Sequence, residues 1–222
     1  IVSVMAVPAA VSALDLEGRL GDCLDVRTPA EMAAITGFSF HRGVLALVRR
    51  PRPLAVDEAL DSGGPRRVLL IERLADADNV GSCFRNARAF GATCVLVDDR
   101  SADPLYRKAV RTSTGHVLDM SWAQAPIDEL LDALTARGIV TIGLTPRATD
   151  SIERVHADMA GDASIAVLVG NEGDGLSAET LVRCDRLARI PMSPAADSLN
   201  VATAAAIALY VAFQRRQGQP MG

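Results

Sequence analysis

Lysine, histidine and aromatic residues are scarce in this sequence. Of 23 basic residues, Lys108 is the one lysine; the rest are arginines, which suit bidentate phosphate contacts. Aromatics make up 4% of the chain, with Trp122 the single tryptophan. The three histidines and the four cysteines (Cys23, Cys83, Cys94, Cys184) are scattered, with no C-x-x-C pair, so a zinc site or any other bound metal is not expected. Free thiols in a chain with no secretory signal point to the cytoplasm. The opening IVSVMAVPAA lacks the basic n-region of such a signal, and because it starts with Ile the chain is expected to be a piece of a longer product. No apolar run approaches the roughly 18 residues of a membrane span; the nearest, residues 201–213, is short, alanine-rich and contains Thr203, so no membrane partner is expected. A bulk positive charge is missing too. The formal net charge of −4 argues mildly against a nucleic-acid partner, although residues 41–52 (HRGVLALVRRPR) hold four arginines and no acid.

What is present is the balance of a globular protein, 49% hydrophobic and 23% charged over 222 residues. From Arg66 onward, apolar runs without polar alternation recur between helical patterns. Strands are predicted at 67–72 (RVLLIE), 93–97, 139–143, 165–169 (IAVLV) and 187–191, with a short one at 116–120. Helices are predicted at 79–90, 104–113, 126–137, 178–184 and 198–215. Alternation of this kind gives an α/β fold: a parallel sheet covered by helices on both faces. The first 50 residues are less regular, with a strand at 44–48 and a helix at 30–35, and are small for an independent core. Residues 51–65, rich in Pro and Gly, read as a connection with a short helix near 56–60.

Three segments stand out. In 79–91 (NVGSCFRNARAFG), Asn79 and Gly91 are readable as an N-cap and a helix stop, but Arg85 lies near a helix start beyond a parallel strand, where ligands bind. In 170–178 (GNEGDGLSA), glycines allow a tight turn and close approach to a ligand, and Glu172 is wedged between them. The spacing matches neither a dinucleotide fingerprint nor a Walker loop, and an ordinary strand–turn–helix junction stays open. In 190–206 (IPMSPAADSLNVATAAA), Ser198 is readable as the cap of the last helix, which puts Asn200 oddly in an apolar first turn, while the alanines allow close packing.

The order of these motifs resembles the SpoU family of RNA 2′-O-ribose methyltransferases, within the SPOUT superfamily. Asn79, Gly81, Arg85 and the A-R-A-F-G ending at Gly91 match its first motif. Gly170, Glu172, Gly173, Gly175 and Leu176 match its second. Ile190, Pro191, Met192, Ser198, Leu199, Asn200 and Val201 match its third, and S-T-G-H at 113–116 stands where the family has S-x-G-A. The likeness covers residues 66–215. Upstream, 35–48 is similar to the end of the small α/β substrate-binding domain that many members carry.

The resemblance implies a domain plan: a partial RNA substrate-binding domain over 1–50, a linker over 51–65 and a methyltransferase domain over 66–222. That last domain is expected to end in a trefoil knot, which periodicity cannot reveal. It further implies S-adenosylmethionine as cofactor, held by Gly170, Asn171, Gly173, Ile190, Met192, Ser198 and Leu199. The methyl acceptor would be an RNA ribose 2′-hydroxyl, in rRNA in preference to tRNA, and the protein a homodimer that uses its last helix. Arg85 takes the central catalytic role, as electrostatic stabiliser or as base, with Asn79, Glu172, Ser198 and Asn200 holding it and the ribose. RNA is expected along Arg42, Arg49, Arg50, Arg52, Arg88, Arg107 and Arg111. An RNA-binding ribosome assembly factor of the same fold without catalysis is the alternative; a nucleotide-dependent oxidoreductase lacks the phosphate fingerprint.

Overall fold

A computed structural model describes residues 1–38, 43–61, 63–159, 163–193, 195–196 and 198–213. The chain forms two compact units, Ile1–Pro51 and Arg52–Gly222.

The first unit is more regular than its sequence suggests. Strand β1 (Ser3–Ala6) leads into helices α1 (Pro8–Leu14) and α2 (Leu16–Leu20), then β2 (Leu24–Val26), α3 (Pro29–Thr36) and β3 (Val44–Leu47). The sheet order is β2-β1-β3, with β2 parallel and β3 antiparallel to β1. A capping box starts α3: Thr28 accepts from the Glu31 amide, and Glu31 accepts from the Thr28 amide. Ala6, Val11 and Leu16 form a small core.

In the second unit the Pro-rich connection carries α4 (Val56–Leu60), whose Val56, Ala59 and Leu60 are buried in the unit's core. The order continues β4 (Arg67–Ile71), α5 (Ala77–Ala89), β5 (Cys94–Asp98), α6 (Arg107–Thr112), β6 (Trp122–Ala125), α7 (Ile127–Ala136), β7 (Val140–Leu144), α8 (Ile152–Ala157), β8 (Ile165–Val169), α9 (Ala178–Arg183), β9 (Arg186–Ala188) and α10 (Val201–Phe213). Six strands form one parallel sheet, β6-β5-β4-β8-β7-β9. The unalternating apolar runs follow from burial on both faces. Leu69, Ile71, Val95, Val97 and Val167 enter one core with Phe84 and Leu209, whereas Val68, Leu70, Leu96 and Leu168 enter the other with Leu130 and Leu134.

Two local readings are corrected. Residues 116–120 are no strand: Gly115 at φ +89° turns the chain into a 3-10 turn, His116–Leu118, and the strand lies further on, at Trp122–Ala125. Ser198 does not cap the last helix. The Asn200 side chain accepts from the amides of Ala202 and Thr203 at 2.9 and 3.2 Å, which is the N-cap geometry. The alanines of α10 serve packing within the unit: Ala202, Ala205, Ala208 and Ala212 are buried, and the helix lies against α5, α8 and β8.

This topology creates a crevice. From β4 the chain builds outward to β5 and β6, then returns to lay β8 on the other side of β4. The loops after β4 and β8 therefore emerge side by side at the carboxyl ends of adjacent strands, the preferred place for a ligand in such a sheet.

Candidate active site

The crevice opens on a cavity of about 610 Å³, within the size range of small-molecule sites. Gly170, Asn171, Gly173 and Glu172 line it from the loop after β8. Ile190, Met192, Ser198 and Leu199 line it from the segment between β9 and α10. All seven residues expected to hold a cofactor thus face one cavity.

The 170–175 loop is shaped from within. Asn171 and Gly175 exchange backbone hydrogen bonds at 3.1 and 2.9 Å, and Asn171 Oδ1 accepts from the amides of Gly173 and Asp174. The return of the chain leaves no room for a side chain at Gly170, where a Cβ would lie 2.2 Å from the Gly175 carbonyl carbon and the Leu176 nitrogen.

Beside the cavity the three motifs are joined by hydrogen bonds. Asn79 Nδ2 donates to Glu172 Oε1 at 2.8 Å, and Asn200 Nδ2 donates to Asn79 Oδ1 at 2.9 Å. Asn79 is available for this because Asp76, not Asn79, is the N-cap of α5, its carboxylate accepting from the Asp78 amide. The Ala75 and Asp76 amides also donate to Glu172, each at 3.3 Å. Partial burial pushes the Glu172 carboxyl upward, but the Asn79 amide and the backbone N–H groups outweigh it and hold the group below the usual carboxylate range.

The helix around this relay is fixed by packing. Gly81 meets α6 so closely that a Cβ would sit 2.4 Å from the Ala109 carbonyl oxygen. Gly91, at φ +76°, ends the helix in a Schellman arrangement, with Ala92 N–H to Ala87 O and Gly91 N–H to Arg88 O.

Arg85 is placed differently from expectation. It is exposed on α5, and among the described residues no hydrogen bond or ion pair engages its guanidinium. Glu172 does not hold it, because amides already occupy that carboxylate. Ser198 lines the cavity without a hydrogen bond to the Asn79–Glu172 pair. Of the arginines expected along RNA, Arg49, Arg50, Arg52, Arg107 and Arg111 are exposed, and Arg88 lies 3.9 Å from Asp119. Arg42 lies outside the described residues.

The sequence reading missed two parts of the cavity wall. One is the end of β7 and the turn that follows it, 144–147, whose position at the carboxyl end of a parallel strand was a usable signal. The other is Arg73, backed by the buried Glu72, for which the one signal was an acid ending the apolar run of β4. Among the described residues no group of His, Cys, Asp and Glu could hold a metal ion, and no helix is long and apolar enough to cross a membrane.

Known proteins resemble this chain in sequence and in fold. Residues 66–210 match the SpoU rRNA Methylase family model. An uncharacterized tRNA/rRNA methyltransferase of Mycobacterium bovis is 40% identical over 194 residues, which are 86% of this chain; the chain spans 65% of that relative's length. The 23S rRNA (guanosine-2′-O-)-methyltransferase RlmB of Bordetella pertussis is 32% identical over 80% of this chain and 72% of its own. Among solved structures, the SpoU methyltransferase AviRb of Streptomyces viridochromogenes, in complex with AdoMet, superposes with a TM-score of 0.81 at 26% identity, covering 96% of this chain and 82% of its own. The family match takes in β4 through most of α10, the elements that bring the three motifs to one crevice: the chain belongs to the SpoU rRNA methylase family.

Proposed function

We propose that the chain methylates a ribose 2′-hydroxyl of RNA, ribosomal RNA in preference to transfer RNA, with S-adenosylmethionine as methyl donor. The observation that carries this reading is the Glu172–Asn79–Asn200 relay beside the cavity, built from all three motifs. The printed activities of the relatives support it: 23S rRNA guanosine 2′-O-methylation for the Bordetella enzyme, and AdoMet in the Streptomyces structure.

The residues present fit the cofactor. Leu144, Leu176, Leu181 and Val201 give the cavity an apolar wall, and Glu172 and Asp174 place carboxylates beside it, a setting for a flat base and a cationic sulfonium. The glycine at position 170 lets the loop that lines the cavity return closely on itself. When bound, the cofactor supplies an electrophilic methyl group on a sulfonium centre.

The protein's own task is to position the hydroxyl and manage its proton. Glu172, ionised and saturated by N–H donors, fixes the Asn79 amide, and Asn200 fixes its other end. Arg85, free of protein partners among the described residues, binds RNA phosphate and the negative charge that grows on the 2′-oxygen; a guanidinium carries donors only, so the proton leaves to phosphate or water. The exposed arginines Arg49, Arg50, Arg52, Arg88, Arg107 and Arg111, with Arg42, supply phosphate contacts. The family knot belongs to this reading: after edge strand β9 the chain returns to the sheet centre, where α10 packs on β8 and α5. So does a homodimer through α10, whose Thr203 and Tyr210 are exposed two turns apart. In this reading the protein works in the cytoplasm.

The test uses labelled S-adenosylmethionine and total RNA from a strain lacking the gene, followed by nucleoside analysis. A labelled 2′-O-methylnucleoside is expected, with Arg85→Ala slower by about 10²- to 10³-fold. Cofactor binding with no transfer to any RNA would favour the assembly-factor alternative. A near-normal rate for Arg85→Ala would overturn the role given to Arg85.

A further inference from the structure

Arg73 follows β4 by two residues and has φ +54°, in the left-handed region that a non-glycine residue enters under strain. The surroundings impose this conformation. The Arg73 amide donates to Asp98 Oδ1 at 2.9 Å, from the buried end of β5. Its carbonyl accepts from Asn171 Nδ2 at 2.8 Å, from the loop after β8. Register explains the meeting, since Ile71 pairs with Val169 and Arg73 and Asn171 each lie two residues beyond that pair.

A backbone role alone would suit glycine, which adopts this conformation freely. Arginine stands there instead, and its side chain is largely buried. Nη2 donates to the Gly175 carbonyl at 3.4 Å. Nε lies 3.6 Å from Glu72 Oε1, within ion-pair range, yet is buried without a hydrogen-bond acceptor among the described residues. Glu72 itself, 2% exposed, accepts from the Ser177 amide at 3.1 Å. The Arg73 guanidinium and the Glu72 carboxylate therefore grip the 170–177 segment near its far end, and the Arg73 carbonyl grips it at Asn171. Arg73 also lines the cavity.

We propose that Arg73 is a positioning residue of the cofactor pocket: its guanidinium holds the 170–175 loop in its binding shape and sets cofactor affinity, not the rate of methyl transfer. This rests on the cofactor reading above. A hydrogen bond made by a charged group carries about 10- to 100-fold in a binding equilibrium.

The test compares wild type with Arg73→Asn, Arg73→Gly and Arg73→Lys by calorimetric titration with S-adenosylmethionine and S-adenosylhomocysteine, alongside thermal melts and amide exchange without cofactor. Asn tolerates the left-handed conformation and lacks the guanidinium. Asn and Gly variants are expected to melt within a few degrees of wild type, to exchange faster at 170–177, and to bind both ligands about 10- to 100-fold more weakly. Their kcat at saturating cofactor should stay near wild type, with KM raised. Lys, which keeps the charge beside Glu72, should recover part of the affinity. Wild-type affinity in the Asn and Gly variants overturns the proposal, as does a collapse of kcat with affinity intact. Wild type that binds neither ligand defeats the cofactor reading itself, an outcome distinct from failure of the Arg73 variants alone.

Discussion

Gly81→Ala sets two magnitudes against each other. Alanine is favoured over glycine inside a helix by about 1 kcal/mol, and Gly81 lies within α5, so propensity predicts a more stable protein. Packing predicts the opposite. The added Cβ would lie 2.4 Å from the Ala109 oxygen, 2.9 Å from its Cα and 3.0 Å from its carbonyl carbon. All three are backbone atoms, so no rotamer change relieves the contact, and α6 must move away from α5. That oxygen also accepts from the Ser113 amide at 2.8 Å, the bond that closes α6, so the shift strains a second interaction. Overpacking of this kind costs about 1–3 kcal/mol. The net expectation is destabilisation of up to about 2 kcal/mol, or a Tm lower by up to roughly 8 °C for a chain of this size. Urea denaturation should show a lower midpoint with an unchanged slope. Adding Ala109→Gly should not rescue the variant, because the closest atoms met are backbone atoms of residue 109, which glycine keeps. A melting temperature above wild type, or full rescue by Ala109→Gly, would refute the argument that backbone contact dictates this glycine.

Further outcomes follow from the same geometry. Asn200→Ala should lose about 1 kcal/mol with the α10 cap, whereas Asn200→Asp keeps the acceptor for Ala202 and Thr203 and should regain stability; because it cannot donate to Asn79, its methyl transfer should remain low, and full activity in the Asp variant would exclude the relay. Glu172 has a folded pKa below its ordinary 4.5, so its stabilising effect is complete above that value and fades as pH falls through the lower folded value; cofactor affinity measured by titration should be flat down to about pH 5, and a midpoint above that would contradict the assignment. Burial pushes the Cys83 and Cys94 thiols up to about 12; burial and then Asp185 push Cys184 to about 11. Iodoacetamide near neutral pH should therefore spare these three in the native protein and modify all four cysteines in urea, as read by mass spectrometry; rapid native labelling of Cys83 would show that the α5 core opens.

The sheet was legible where burial left a continuous apolar run. IAVLV at Ile165–Val169 and the runs at β4, β5 and β7 announce strands covered on both faces. Strand β6, with its Trp-Ala-Gln-Ala, carries no such run and takes its strand state from pairing with β5, so it was missed. In 76–79 (DADN) three residues are able to cap a helix. Side-chain type cannot choose among them; the point where the backbone turns helical does, and it selects Asp76.

The sequence by itself determined the strand–helix alternation, the parallel sheet and the three motifs whose residues meet at the cavity, because hydrophobic period and motif spacing are local properties written along the chain. The tertiary structure alone decided that β8 lies beside β4, that Asn79 stands between Glu172 and Asn200, and that Arg73 adopts a left-handed turn. Those arrangements rest on hydrogen bonds between residues far apart in sequence, 25 apart for Arg73 and Asp98, 98 for Arg73 and Asn171, and 121 for Asn79 and Asn200, which exist only once the sheet has ordered its strands.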